Sequence, residues 1–192
     1  MNKVPNRFLI VISGPSGAGK STLVQALLHS TNYLLSVSCT TRKKRPTEQH
    51  GREYYFISKE EFEQKIAQNQ FLEYAQYDGN YYGTLREEVD RITQKTHCLL
   101  DIEVQGAQII REKLDLKECT TFIFIEPPDE KTLRERLLQR GNNPDFHLER
   151  RIQQAKRELA EKHKFDRVFT NHDSAQMIQE VRDYLQKRFS TS

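Results

Sequence analysis

The stretch Gly14-Pro15-Ser16-Gly17-Ala18-Gly19-Lys20-Ser21-Thr22 has the spacing G-x-x-x-x-G-K-[ST] and follows directly on the apolar run RFLIVIS, residues 7–13. A glycine-rich turn of this kind lets several backbone N–H groups converge on phosphate oxygens, and the helix that follows adds its positive N-terminus. In such a loop Lys20 reaches the β- and γ-phosphates, and Ser21 is the candidate ligand for Mg²⁺ on a nucleoside triphosphate. Placement between a strand and a helix disfavours a ligand-free turn. The pattern specifies triphosphate phosphates and leaves GTPase, ATPase and kinase open.

A kinase also needs an acceptor site. The segment TTRKKRPTEQHGREYYF, residues 40–56, sets four basic side chains in the six positions after Thr41. A short Lys/Arg cluster is by itself a solvated surface or a nucleic-acid patch. The net charge of +3 over 192 residues is too mild for wholesale polyanion binding, so any basic function is local. Ser38, Arg42, Arg45, Glu48 and Tyr54 fall in one strand-loop-strand unit, and Glu73 and the run NYYGT follow it. Lys43 and Lys44 read as plain surface charges, and Tyr55 and Phe56 as strand packing.

Two polar residues have competing readings. Glu73 alternates with Leu72 in FLEYAQY, as an outward strand residue would. Thr84, three before Glu87, would serve as a helix N-cap with no ligand present. Further along, Arg136 and Arg140 are four apart and share a helix face beside the break GNNPDFH, and Arg151 lies on the next helix. Arg134, Arg150 and Arg157 fit a solvated face. His29, His97 and His163 have no paired acidic partner in view, and no dedicated nucleophile or general base is expected.

These side chains must be held by a fold of the α/β class. Short apolar runs at 7–13, 97–103, 120–126 and 166–170 alternate with helical patterns, which predicts a parallel sheet covered on both faces. Ser58 with Glu61, and more loosely Asp173 with Gln176, mark helix starts. Leu148, Ile152, Ala155 and Leu159 form one apolar stripe. Residues 34–83 break the alternation with strand-like pieces around one short helix, which suggests a small mixed sheet inserted between core elements. Cys39, Cys98 and Cys119 show no CxxC spacing and predict reduced thiols. The N-terminus lacks a secretory pattern and FLIVIS is too short to span a membrane, so a cytoplasmic protein without membrane or nucleic-acid partners is expected.

In order along the chain, GPSGAGKST, SVSCTTRKKRPTEQHGREYYF, FLEYAQYDGNYYGT, LLDIEVQG, IEPP and RLLQRG resemble the guanylate kinases, from about Ile10 to Asp173. The resemblance implies a P-loop NTPase-type parallel sheet flanked by helices (1–33, 84–135 and 158–192), a GMP-binding mixed β insert (34–83) and a small helical lid (about 136–157). It implies transfer of the γ-phosphoryl group of ATP to GMP, with dGMP also accepted, as a step of purine nucleotide metabolism. Residues 14–22, Arg136 and Arg140 would hold ATP. Ser38, Arg42, Arg45, Glu48, Tyr54, Glu73, Tyr82, Thr84 and Asp101 would hold GMP.

By the same resemblance Lys20, Arg45, Arg140 and Arg151 would act on the transferring phosphoryl group, and Asn171 would lie near the donor base. Glu103 departs from the usual Asp, and Thr47 stands where the family usually has Gly, which predicts a stiffer loop and a re-aimed Glu48. A guanylate-kinase-like interaction module without catalysis is the other class considered. Gly14, Gly19, Lys20 and Ser21, all present, argue against it.

Overall fold

The computed structural model describes residues 8–77, 79–113, 120–139 and 145–190, the side chains of 145–147 excepted. In chain order the strands are β1 (Leu9–Ser13), β2 (Leu34–Leu35), β3 (Cys39–Thr40), β4 (Tyr55–Phe56), β5 (Phe71–Tyr77), β6 (Asn80–Leu85), β7 (Cys98–Asp101), β8 (Thr120–Glu126) and β9 (Arg167–Thr170). The helices are α1 (Lys20–Ser30), α2 (Lys59–Ala67), α3 (Arg86–Thr93), α4 (Val104–Glu112), α5 (Glu130–Gln139), α6 (Asp145–Ala160) and α7 (Ser174–Ser190).

Five strands form a parallel sheet in the order β2-β7-β1-β8-β9. Its centre, β1, is buried along its whole length, so alternate residues serve opposite faces. Ile10 and Ile12 pack with Leu23, Leu27, Val181 and Leu185 from α1 and α7. Leu9 and Val11 pack with Val89, Ile92, Ala107 and Ile110 from α3 and α4. Each such Val, Leu or Ile side chain contributes about 1.5–3 kcal/mol by leaving water. Two covered faces explain the uninterrupted apolar strands of the sequence.

The remaining strands make a mixed sheet, order β4-β3-β6-β5. Phe62 of α2 stacks on Phe71 (centroids 4.3 Å apart) and Tyr81 (5.1 Å), giving this sheet its own small core. Ser58 caps α2 by accepting from Glu61 N at 3.0 Å, and Asp173 accepts from Gln176 N at 2.9 Å at the start of α7, as the sequence predicts. Leu148, Ile152 and Ala155 of the stripe pack on Leu133 and Leu137, joining α6 to α5.

Three expectations are corrected. Leu34–Leu35, read as the start of the insert, pairs with β7 and widens the parallel sheet. Thr84, read with the core, lies inside β6 of the mixed sheet. Nor does Thr84 cap a helix: α3 starts after Leu85 without a side-chain cap, because the Thr84 hydroxyl is committed to a partner in the neighbouring strand.

Candidate functional site

The phosphate loop joins β1 to α1. Gly14 and Gly19 sit at φ 137° and 106°, in the region that disfavours side chains. Neither position has room for a Cβ, which would lie 2.1 Å from Ile125 O at Gly14 and 2.1 Å from Asn171 Nδ2 at Gly19. Lys20 folds its ammonium back onto the carbonyl oxygens of Gly14 and Pro15. Asn171, 1% exposed, donates to Ala18 O at 2.7 Å and so braces the loop from below. Its own carbonyl accepts from Arg136 Nη2 at 3.1 Å. Arg136 and Asn171 therefore form one support for the loop, a linkage that the sequence reading, which set Asn171 near a base, does not give.

The facing wall comes from the mixed sheet. Arg42 and Glu48 form a two-pronged ion pair, Nη1 to Oε2 at 3.0 Å and Nη2 to Oε1 at 2.9 Å, and Arg45 N donates to Oε2 at 2.8 Å. Such a fork fixes the guanidinium plane, and Arg42 holds the Glu48 carboxyl below the usual carboxylate range. Arg42 also lies 5.5 Å from the Tyr54 ring centroid and 5.6 Å from that of Phe56. Tyr54 contacts Tyr82 edge-on at 5.9 Å. Burial first, then the negative field of Asp101, pushes the Tyr54 hydroxyl up to about 12, so it remains a neutral donor at physiological pH. Ser38 leads into β3, where its carbonyl accepts from Tyr55 N at 2.9 Å. Asp101 ends β7. Thr47 has no positive φ, so threonine is accommodated where glycine is usual, and Glu48 is aimed at Arg42.

Glu73 owes its orientation to an irregularity in pairing. Phe71 faces Leu85 and Glu73 faces Thr84, so two residues of β5 oppose one of β6, as in a β-bulge. Leu72 and Glu73 are consequently both buried, at 4% and 5% exposure, where simple alternation would turn one of them outward. Thr84 Oγ1 donates to Glu73 Oε1 at 2.6 Å. Burial pushes the carboxyl up to about 7 against the opposing hydrogen bonds from Thr84.

A cleft of about 1550 Å³ runs between these walls, bordered by Ser16 and Ser21 of the loop, Arg42, Arg45 and Tyr82 of the mixed sheet, and Arg151 of α6. Arg151 Nη2 donates to Ser16 Oγ at 2.8 Å, joining the arginine helix to the phosphate loop. Arg140 lies outside the described residues. Arg150 and Arg157, read as solvated, also line the cleft, whereas Arg134 pairs with Glu149. His29 and His163 bond carbonyls of their own turns, and His97 accepts from Phe8 N and stacks on Phe189, all structural uses.

The sequence reading passes over Glu158 of α6. It is 7% exposed, accepts from Gln154 Nε2 at 2.9 Å, and is pushed up to about 7 by burial and then by Glu103, while Lys20 opposes the shift. Its place seven residues after Arg151, two turns along one helix face, is a signal the sequence does contain. Glu103 is likewise raised by burial and opposed by Lys20.

A parallel sheet whose first strand ends in a triphosphate-type loop, facing an arginine- and tyrosine-bearing second sheet across one cleft, defines a P-loop protein of the nucleotide-kinase class. The comparisons narrow this: residues 6–188 match the guanylate kinase family, and the chain belongs to that family. The guanylate kinase of Latilactobacillus sakei is 45% identical over 178 residues, covering 90% of this chain and 85% of the relative. That of Mycoplasmoides gallisepticum is 43% identical over 183 residues, covering 93% and 92%. Among solved structures, guanylate kinase from Anaplasma phagocytophilum superposes with TM-score 0.78 at 30% identity, covering 95% of this chain and 86% of that one.

Proposed function

We propose that the chain transfers the γ-phosphoryl group of ATP to GMP, and also to dGMP, giving ADP and GDP or dGDP. The observation that carries this reading is the single cleft bordered by Ser16 and Ser21 on one side and by Arg42, Arg45 and Tyr82 on the other. Family membership supports it, and the intact phosphate loop disfavours a module that only binds proteins.

In the proposed mechanism, Arg42, Arg45, Tyr54 and Tyr82 hold the acceptor phosphate, with Glu48 acting through Arg42. Glu73, with Thr84 and Ser38, reads the base. Guanine presents N1–H and a 2-amino group side by side, and one carboxylate accepts from both; adenine leaves the carboxylate poorly satisfied. Lys20 leaves the carbonyls of its own loop to meet the donor phosphates, joined there by Arg136, Arg140 and Arg151. Two anions are thereby held in line: at an effective dielectric near 20, unit charges about 4 Å apart repel by about 4 kcal/mol, which fixed cations offset. Charge stabilisation and positioning are sufficient, because phosphoryl transfer to a hydroxyl or phosphate oxygen requires no covalent enzyme intermediate.

Ser21 with the triphosphate oxygens would hold Mg²⁺, and Asp101 and Glu103 would order its waters. Among the described residues there is no cluster of three acidic or imidazole ligands, which suits an ion held chiefly by phosphate and water. When bound, the ion would neutralise charge developing between the β- and γ-phosphates. The proposed working parts are the core, the acceptor insert at 34–83 and a lid at about 136–157. The cytoplasm is the proposed compartment, supported by the buried free thiols Cys39 and Cys98; among the described residues no helix is long and apolar enough to cross a membrane. Release of ADP, measured with GMP, dGMP, AMP, CMP and UMP as acceptors, tests the assignment. Turnover of GMP and dGMP alone is expected, and equal turnover of AMP or UMP would refute the base-reading role of Glu73.

A further inference from the structure

Gly106 lies in the first turn of α4, with no backbone reason to be glycine: its φ is not in the left-handed region. Glycine inside a helix lowers stability relative to alanine, so a buried helical glycine calls for a packing reason. That reason is Glu73. A Cβ on Gly106 would lie 2.4 Å from Glu73 Oε2 and 3.0 Å from its Cδ. The other carboxylate oxygen, Oε1, accepts from the Thr84 hydroxyl at 2.6 Å, and the neighbouring Leu72 is buried in the core. The carboxylate is thus clamped between a hydroxyl of β6 and the bare backbone of α4.

We propose that Gly106 is a specificity-determining position, whose lack of a side chain lets α4 close on Glu73 and hold the carboxylate plane in the orientation that reads the acceptor base. This rests on the base-reading role proposed for Glu73. Accepting two adjacent donors from one base edge requires both carboxylate oxygens to lie near the base plane. A methyl at position 106 overlaps Oε2 while Oε1 is bound to Thr84, so the carboxylate must turn to clear it, and one of the two bonds is lost. Gly106 touches neither substrate; it is a positioning residue that acts through Glu73, and it also connects the acceptor sheet to the element that follows Asp101 and Glu103.

The test is a cycle of Gly106→Ala, Glu73→Ala and the double variant, reading kcat/KM for GMP and AMP, Kd for ATP, and thermal unfolding. Gly106→Ala is expected to raise KM for GMP and to lower the GMP-to-AMP preference by about tenfold, the scale of one lost hydrogen bond to a charged group, with ATP affinity unchanged. In the Glu73→Ala background the same substitution should change the preference no further, because its target is gone. A Gly106→Ala variant that keeps its preference within twofold, or a double variant that loses a further tenfold beyond Glu73→Ala, overturns the proposal. If Gly106→Ala fails to fold, the double variant decides: folding as well as Glu73→Ala supports the contact, and failing equally overturns it. A Glu73→Ala enzyme that still prefers GMP would instead refute the base reading, which separates the two failures.

Discussion

The two walls of the cleft are built by different means. The proposed donor wall is mostly backbone: a loop of six residues, 14–19, between β1 and α1, with Gly14 and Gly19 at positive φ and Asn171 as its brace. The proposed acceptor wall is mostly side chains, delivered by the β3–β4 connection and by strands β5 and β6 and held by one another, Arg42 by Glu48 and Glu73 by Thr84. Backbone donors suit a polyphosphate, which every triphosphate shares. Side chains suit the discrimination of one base and one monophosphate from others. A defect in the first wall should therefore reach turnover, and a defect in the second should reach affinity and choice of acceptor.

Lys20→Ala is the most severe way to test that division. It should lower kcat about 10³-fold by removing charge stabilisation at the transferring group, with GMP affinity little changed; unchanged turnover would end the division of labour. Glu73→Gln replaces an acceptor pair by a group that must also donate, and should reduce the GMP-to-AMP ratio of kcat/KM by about 10- to 100-fold. Equal loss on both acceptors would show Glu73 to be structural. Glu48→Ala should raise KM for GMP by about tenfold with kcat nearly kept, since the aim of Arg42 and the anchor of the Arg45 backbone are lost; a fall confined to kcat would move Glu48 to the donor wall.

The smallest effect concerns Glu158 of α6, which lines the cleft. Folded, it keeps its proton up to about 7, against 4.5 for the free group. Between those values the folded chain binds more protons than the unfolded one, so stability falls as pH rises through that window and levels off above it. Glu73, raised to about 7, acts in the same sense. Glu158→Gln removes one such group and should raise the unfolding midpoint at pH 8 by about 4–8 °C, for roughly 2 kcal/mol, and hardly at all at pH 4. A gain that is equal at both pH values would mean that Glu158 ionises freely in the folded state.

The parallel sheet was legible because strands buried on both faces need unbroken apolar runs, as in Thr120–Glu126, where the expected and observed limits coincide. The phosphate loop was legible because its residues are contiguous and its glycines are imposed by local φ. The caps at Ser58 and Asp173 were equally local. Thr84 failed as a cap because local spacing carries no knowledge of a carboxylate in the adjacent strand.

The sequence by itself determined the alternating architecture, the phosphate loop and the types of residue offered to a second anion, since each follows from neighbours in the chain. Only the tertiary structure decided that Glu73 turns inward, that Asn171 supports the loop 153 positions before it, and that Gly106 leaves room for a carboxylate. Those outcomes depend on pairing register and on the approach of distant backbones, which no spacing along the chain encodes.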